Sequence, residues 1–327
     1  MTHALVLADI EGIVDIYNLV DIEKASMLYT QEIEVYIKAL ISSGICKITI
    51  CDAHNEGNMI NPEIINKYDS GDIKISLIST ASNISFDEKY DFAIMVGYHG
   101  MEGSPGIIPH TYRFDIKEII VEDKERNTNI PIGEVEVDAR WLGSHGVPVI
   151  LVTGDREAVY EANCFNPYRQ TCCVKSAFQT SAAKRASMYE KLRQSLEVAL
   201  KLDRDLCLSQ DNDEVAVEFY NIDMLDACIK KGGTRKNNRV VFKNCADFLS
   251  SFDSFIYDLI EISKAAWKEN AEFLKEIRRL VKPLRKEDII NSEIGPLLNG
   301  SLMTLDKASR DRIMATVKEM ALSGERC

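Results

Sequence analysis

Short apolar segments alternate with a helical pattern in the first half of this chain, and this alternation most restricts its fold. The run ALVLADI at residues 4–10 precedes an amphipathic pattern over residues 30–44, which ends at Gly44, and then KITICDAH at residues 47–54. A strand, a helix and a strand in this order predict a right-handed crossover between parallel strands. The runs KISLIST, FAIMVGYH and VPVILVTGD extend the pattern. We therefore predict an open, mostly parallel α/β sheet of about five strands, flanked by helices.

The rest of the chain predicts smaller additions to this sheet. Residues 112–133 alternate between apolar and polar side chains, and a polar turn divides the pattern into two parts. This indicates a hairpin added to the parallel core. Residues 133–146 predict a helix that leads into the next buried strand. We predict three parts: an α/β domain (1–177), a smaller α+β lobe (178–264) and a helical C-terminal extension (265–327).

The composition excludes several classes of partner. A formal net charge of −12 over 327 residues argues against binding to nucleic acids or anionic membranes, which favour a positive surface. The chain shows no secretory signal pattern, and no apolar run approaches the roughly 20 residues that span a bilayer. The nine cysteines show no CxxC spacing, which favours reduced thiols in a reducing compartment. We predict a cytoplasmic protein with neither a nucleic-acid nor a membrane partner.

Acidic and imidazole residues stand where the predicted strands end. Asp9 and Glu11 are two residues apart, so an extended chain directs both side chains to the same face. His54 and His99 close the next apolar runs, and Glu134 ends the segment PIGE. Each of these residues alone fits an ordinary polar group at a strand end or in a loop. Because the carboxyl ends of parallel strands open on one crevice, their joint placement predicts a shared site.

Together these five side chains offer the ligands of a two-metal hydrolytic centre. Two divalent ions about 3.5 to 4 Å apart need a bridging carboxylate, with imidazoles and carboxylates on either side. Oxygen and nitrogen ligands without thiolate favour zinc, with manganese or cobalt as substitutes. A sixth residue, His110, closes the loop GMEGSPGIIPHT, whose glycines and prolines permit a tight path over a cleft. A loop histidine without a role fits the same position.

Five ordered motifs make the chain resemble the DppA-like D-aminopeptidase family of zinc metallopeptidases. They are ADIEG, DAH, VGYHGMEGSPGIIPHT, IGE and VPVILVTGD, and the likeness extends to about residue 262. By resemblance, two zinc ions are held by Asp9, Glu11, His54, His99 and Glu134. The resemblance also makes His110 a catalytic group, which we interpret as a general acid/base or a stabiliser of the transition state rather than a nucleophile. Asp52 is a candidate to orient His54.

The chain departs from the family pattern beside the ligands. The second motif reads DAHN at residues 52–55, where the family usually has aspartate, serine, histidine and glycine. Near the last ligand, Glu136 and Asp138 stand where the family tends to have glycine and asparagine. If these carboxylates face the cleft, they hold the amino group or a basic side chain of a substrate. The other interpretation is a solvated helix face.

The resemblance implies an aminopeptidase that acts on short peptides with an N-terminal D-residue. It also implies a homo-oligomer of stacked rings, a decamer in the family. Two alternatives stay open: the same metal pair hydrolyses a different amide or ester, such as a modified natural-product peptide, or the chain binds metal in a structural or regulatory role. The C-terminal extension lies beyond the family's usual end, and it either contacts a neighbouring subunit, shapes access to the site or forms a surface helix.

Overall fold

The structure, a computed structural model, describes residues 2–19, 21–54, 57–113, 115–123, 128–176, 185–220, 222–230, 233–252 and scattered positions between 273 and 318. Its strands are β1 (His3–Ala8), β2 (Lys47–Asp52), β3 (Lys74–Ser79), β4 (Phe92–Tyr98), β5 (Ile116–Asp123), β6 (Thr128–Ile132), β7 (Val149–Asp155), β8 (Gln170–Lys175), β9 (Val215–Phe219), β10 (Thr234–Lys236) and β11 (Arg239–Phe242). Its helices are α1 (Ile22–Ser42), α2 (Glu63–Tyr68), α3 (Glu134–Ser144), α4 (Arg156–Phe165), α5 (Arg185–Ala199) and α6 (Ile222–Lys230). Within these ranges, every helix is too short or too polar to cross a membrane.

Six strands form one parallel sheet in the order β3-β2-β1-β4-β7-β8. Each neighbouring pair in it is parallel; for example, Val6 of β1 lies opposite Ile50 of β2 and Ile94 of β4. The chain order reverses between β1 and β4, because β2 and β3 lie on one side and β7 and β8 on the other. This sheet confirms the predicted α/β fold. In such sheets a crevice opens beyond the carboxyl ends of the strands at the point of reversal.

Helices cover both faces of the parallel sheet, which explains why its strands are continuous apolar runs. Residues of α1 and α5 pack on one face, and residues of α3 and α4 pack on the other. The buried apolar residues of α1 recur at helical spacing: Leu28, Ile33, Tyr36, Ile37 and Leu40. The Asp21 side chain accepts a hydrogen bond from Lys24 N at the start of α1, and Gly44, with φ of +81°, follows its end. The predicted helix stop at Gly44 is therefore confirmed.

A second sheet has five strands in the order β10-β11-β9-β5-β6. The prediction that residues 112–133 extend the parallel core is therefore wrong, because β5 and β6 join β9 instead. Their alternating pattern explains the difference, since strands of a doubly covered parallel sheet are apolar throughout. The parallel sheet instead gains β8, which the sequence did not predict because QTCCVK lacks a run of aliphatic residues.

The described residues divide into two compact units. The first comprises Met1–Thr111, Ile120–Val215 and Lys243–Ser250, and it holds the parallel sheet. The second comprises Tyr112–Ile119, Ala216–Phe242 and the described residues from Ser251 onward. Helix α5 belongs to the first unit and packs against α1 and β8. The three-part division at residues 177 and 264 stays a prediction, and the predicted extension over residues 265–327 lies mostly outside the described residues.

Glu32 on α1 is a fully buried carboxyl group. Its Oε2 accepts a hydrogen bond from Val14 N at 2.9 Å, and the charged groups that face it are Lys175 from β8 and Asp15 from the loop after β1. Burial raises the pKa of Glu32 from 4.5 to about 7. Between these two values the folded protein keeps a proton that the unfolded chain has released. The free energy of unfolding therefore falls as the pH rises from 4.5 to about 7, and it stays at the lower value above that range.

We expect Glu32→Gln to gain stability relative to the wild type as the pH rises, because glutamine has no proton to release. The difference in unfolding free energy should grow by roughly 2 to 3 kcal/mol between pH 4.5 and pH 8. Urea denaturation at both pH values measures it. Glu23→Gln, at an exposed position of the same helix, controls for the change in net charge. A gain that is equal at the two pH values would contradict the prediction.

Candidate metal centre

The loops that follow β1, β2 and β4 bring the predicted ligands to the carboxyl edge of the parallel sheet. Asp9 and His99 directly follow β1 and β4, and His54 lies two residues beyond β2. A hydrogen bond of 2.7 Å from Gly12 N to Gly97 O joins the loop after β1 to the last residues of β4. Gly97 has a φ of +73°, and a Cβ there would overlap the backbone oxygen of Asp9. Glycine at this position therefore permits the close approach that places Asp9 beside His99.

One group of candidate ligands consists of Asp9, Glu11 and His54, whose ligand atoms lie within 4.8 Å of one another. His54 Nδ1 lies 3.3 Å from Asp9 Oδ1 and 3.1 Å from Glu11 Oε2. A tetrahedral zinc ion with bonds of about 2.1 Å separates its ligand atoms by about 3.4 Å. The observed spacings therefore fit three ligands of one ion.

The second group consists of His99, His110 and Glu134, whose ligand atoms also lie within 4.8 Å of one another. His99 Nε2 lies 3.3 Å from Glu134 Oε1 and 3.3 Å from Asp9 Oδ2. The ring of His110 stacks on the ring of His99, with centroids 4.1 Å apart and planes 3° apart. The predicted catalytic residue His110 thus lies beside the candidate ligands, with its Nε2 3.8 Å from Glu11 Oε1.

Asp9 is shared between the two groups, since its Oδ1 faces His54 and its Oδ2 faces His99. Three atoms of the cluster are buried without a hydrogen bond in the described part of the chain, namely Asp9 Oδ2, Glu11 Oε2 and His99 Nε2. An unsatisfied buried polar atom costs on the order of 1–3 kcal/mol, whereas one cation in each group would satisfy all three. The six side chains of the two groups therefore fit a pair of zinc ions.

Backbone carbonyl groups orient two of the imidazoles. His99 Nδ1 lies 3.0 Å from Gly100 O, and His110 Nδ1 lies 3.0 Å from Ile108 O. A carbonyl oxygen can only accept a hydrogen bond, so in the neutral rings Nδ1 carries the proton and Nε2 turns its lone pair to the cluster. Metal-bound histidines are usually held in this way.

The charges of the cluster interact strongly. Burial lowers the pKa of His54, but the nearby carboxylates of Asp9 and Glu11 outweigh burial and raise it to about 10. Burial also opposes ionisation of His99, whose pKa is nevertheless raised well above its ordinary value by Glu134 and Asp9. Against the effect of burial, the three imidazoles lower the pKa of Glu11 far below its ordinary value. Such a pocket of buried carboxylates attracts cations.

Asp52, predicted to orient His54, lies at the end of β2 and is fully buried. Its Oδ2 accepts hydrogen bonds from Met59 N at 2.7 Å and from Ile60 N at 2.8 Å. It therefore anchors the segment that follows His54, and a direct action on the imidazole stays a prediction. Asn55, one of the departures from the family pattern, lies outside the described residues.

Glu136 and Asp138 lie on α3, and both are buried, with 3% and 6% of their surface exposed. The interpretation as a solvated helix face is therefore wrong, because α3 packs against the core of the parallel sheet. Glu136 Oε1 accepts a hydrogen bond from Arg140 Nε at 2.8 Å, and Asp138 Oδ2 accepts one from Tyr98 Oη at 2.5 Å. A substrate amino group would have to displace these partners, and the predicted contact with a substrate stays a prediction.

Two further charged residues support the cluster through contacts that are distant in sequence. Lys175, at the end of β8, is buried, and its Nζ donates hydrogen bonds to the backbone oxygens of Glu11 and Ile16. Asp155, at the end of β7, accepts a hydrogen bond from Gly100 N at 3.3 Å and caps the start of α4. Neither residue was predicted. The sequence did contain a signal for Asp155, because this charged residue ends the apolar run VPVILVTGD.

Comparisons with known proteins identify the family of this chain. A family profile described as D-aminopeptidase, Peptidase_M55, matches residues 3–256. A D-aminopeptidase of Bacillus subtilis (strain 168) is 28% identical over 166 residues, which span 50% of this chain and 57% of that relative. A solved structure described as "Zn-dependent D-aminopeptidase DppA from Bacillus subtilis, a self-compartmentalizing protease" covers 78% of this chain and 97% of its own, with a TM-score of 0.65 and 22% identity, which shows a shared fold. Because the profile spans well over half of the sequence, the chain belongs to the D-aminopeptidase family Peptidase_M55.

Proposed function

We propose that this protein is a zinc-dependent aminopeptidase that holds two zinc ions per chain and removes an N-terminal D-residue from short peptides. The observation that carries the proposal is the carboxylate of Asp9, which faces His54 with one oxygen and His99 with the other. The family and the similarity to a Bacillus subtilis D-aminopeptidase support the reaction class. The preference for a D-residue rests on the family, and the two-ion centre rests on the geometry.

In this proposal, one ion is held by Asp9, Glu11 and His54, and the other by Asp9, His99 and Glu134. When bound, such a pair supplies an activated water and stabilises the negative charge that develops on an amide carbonyl oxygen. Asp9, Glu11 and His99 are buried, and His54 and Glu134 are partly exposed. The buried charges act in surroundings of low dielectric constant, where electrostatic interactions are stronger than in water.

His110 is placed to transfer a proton. Its Nδ1 is held by Ile108 O, and its Nε2 faces the cluster near Glu11. The nitrogen that leaves an amide must gain a proton as the C–N bond breaks, and a protonated imidazole here donates it from Nε2. The same positive charge stabilises the oxyanion of the transition state. Stacking on His99 keeps the ring of His110 in this orientation.

We further propose a cytoplasmic homo-oligomer that acts on short peptide substrates. The Bacillus subtilis protein of similar fold is described as self-compartmentalizing. A ring of subunits that encloses the active sites would admit short peptides and exclude folded proteins. We take the stacked-ring decamer as the expected assembly. Light scattering coupled to size-exclusion chromatography distinguishes it from a monomer of 36.8 kDa.

Metal analysis and hydrolysis assays test the proposal together. We expect about two zinc ions per chain and faster hydrolysis of D-alanyl than of L-alanyl p-nitroanilide. A preference for the L-substrate, or for non-peptide amides or esters, would instead indicate a metal-dependent hydrolase with a different substrate. Two bound zinc ions without hydrolysis of any of these compounds would overturn the proposed activity. A protein that binds no zinc would overturn the metal centre itself.

A further inference from the structure

Helix α3 begins with a candidate metal ligand but lacks a capping side chain of its own. Glu134 is its first residue, and the residue at the N-cap position is Gly133, which makes no side-chain hydrogen bond. The first backbone N–H groups of a helix have no partner within the helix, and a buried helix start needs partners from elsewhere. The orientation of Glu134 therefore depends on whatever satisfies these N–H groups.

Glu161 of α4 supplies that partner. Its Oε1 accepts hydrogen bonds from Gly133 N at 2.8 Å and from Glu136 N at 3.0 Å. In an ordinary capping box, the N-cap side chain binds the N–H of the third helical residue, and the side chain of that residue binds the N–H of the N-cap. Here one oxygen of Glu161 binds both N–H groups, which lie on either side of Glu134.

The side chain that would close an ordinary capping box is engaged elsewhere. Glu136 is the third residue of α3, and its carboxylate pairs with Arg140 at 2.8 Å and with Arg169 at 3.9 Å. Arg140 also pairs with Asp213 at 2.9 Å. These ion pairs hold the Glu136 side chain away from the start of its own helix, so the cap has to come from α4.

The space at this contact requires glycine at position 133. A Cβ there would lie 2.5 Å from Glu161 Oε2 and 2.8 Å from the Cβ of Met101. The φ of Gly133 is −101°, which any residue adopts, so the requirement arises from the close approach and not from backbone strain. Glu161 itself is 2% exposed and therefore cannot move aside into solvent.

We propose that Glu161 is a positioning residue of the metal centre, which caps α3 from α4 and thereby aims the Glu134 carboxylate at the ion that His99 also holds. This inference rests on the proposed two-zinc function. It assigns Glu161 no contact with metal or substrate. Residues that orient metal ligands typically contribute a factor of about 10 to 100 in metal affinity.

Zinc titration against a chromophoric chelator tests the inference with Glu161→Met and Glu161→Gln. Methionine fills similar space but cannot accept the two hydrogen bonds, whereas glutamine keeps a carbonyl oxygen in the same place. We expect Glu161→Met to hold one zinc ion with wild-type affinity and the other about 10 to 100 times more weakly. Glu161→Gln should restore the affinity of the second ion to within a factor of about 3. Gly133→Ala, which crowds Glu161 without removing it, should reproduce the selective loss.

Asp21→Ala is the matched control, because it removes the N-terminal cap of α1, at an exposed position, without affecting the metal groups. It should lower the melting temperature and leave both zinc affinities unchanged. Equal zinc affinities in the wild type, Glu161→Met and Gly133→Ala would overturn the inference while leaving the metal centre intact. Equal weakening of both ions, or failure of both variants to fold, would also overturn it, since the contact would then serve the fold in general. A wild type that binds no zinc would instead overturn the proposed function.

Discussion

Asp9→Ala should remove both zinc ions and lower kcat/KM at least about 10³-fold, which corresponds to about 4 kcal/mol of transition-state stabilisation. The reason is the shared carboxylate, whose Oδ1 lies 3.3 Å from His54 Nδ1 and whose Oδ2 lies 3.3 Å from His99 Nε2. In the proposed centre, its loss would deprive both ions of a ligand and would remove one negative charge from the cluster. Zinc per chain after dialysis, together with D-alanyl p-nitroanilide hydrolysis, measures both effects.

His54→Ala provides the comparison for Asp9→Ala. His54 belongs to the first group alone, where its Nδ1 faces Asp9 and Glu11. We therefore expect this variant to lose one ion and to retain the other, which His99 and Glu134 continue to hold. If Asp9→Ala also retains one ion at wild-type affinity, the carboxylate of Asp9 does not join the two groups, and the proposed two-ion centre is wrong.

His110→Ala should lower kcat about 10²- to 10⁴-fold, the range for loss of a general acid or base, while both zinc ions stay bound. The zinc content distinguishes a proton donor from a ligand, and this matters because His110 also lies within ligand distance of His99 and Glu134. Removal of a ligand would release zinc, whereas removal of a proton donor would lower kcat and leave zinc bound.

His145→Ala serves as the control for His110→Ala. His145 follows α3 and stacks on Phe86, with ring centroids 3.7 Å apart, so its loss should leave both kcat and the zinc content unchanged. A zinc content of one ion per chain in His110→Ala would show that His110 is a ligand of the second ion. Retention of full activity would assign it no role in the reaction.

The sequence predicted the parallel sheet and the ligand cluster because both depend on local patterns. Apolar runs of strand length specify buried strands, and a polar residue at the end of each run must lie at the edge of the sheet. Asp9, His54 and His99 could be grouped from the sequence alone on that basis. The hairpin was misplaced because the pattern of β5 and β6 shows that they form strands and does not show which sheet they join.

The contacts that shape the site could not be predicted, because they join residues that no sequence pattern relates. Glu161 lies on a helix with no motif, yet it caps α3. Glu136 is not on a solvated helix face, and its pairing with Arg140 and Arg169 inside the protein could not be predicted from the sequence. Which partner a buried charge selects depends on the packing of α3 and α4, and that packing is a property of the folded chain.

In the proposed two-zinc centre, the order of the candidate ligands along the chain determines when each set has been synthesised on the ribosome. Asp9, Glu11 and His54 are all present once β2 and the two residues after it have been made. Glu134 follows about 80 residues later, a delay of about 4 to 16 s at roughly 5–20 residues per second. A nascent chain in this interval contains the whole of the first group of candidate ligands and only part of the second. In the proposed two-zinc centre, the residues that would hold the first ion are therefore all synthesised before those of the second are complete.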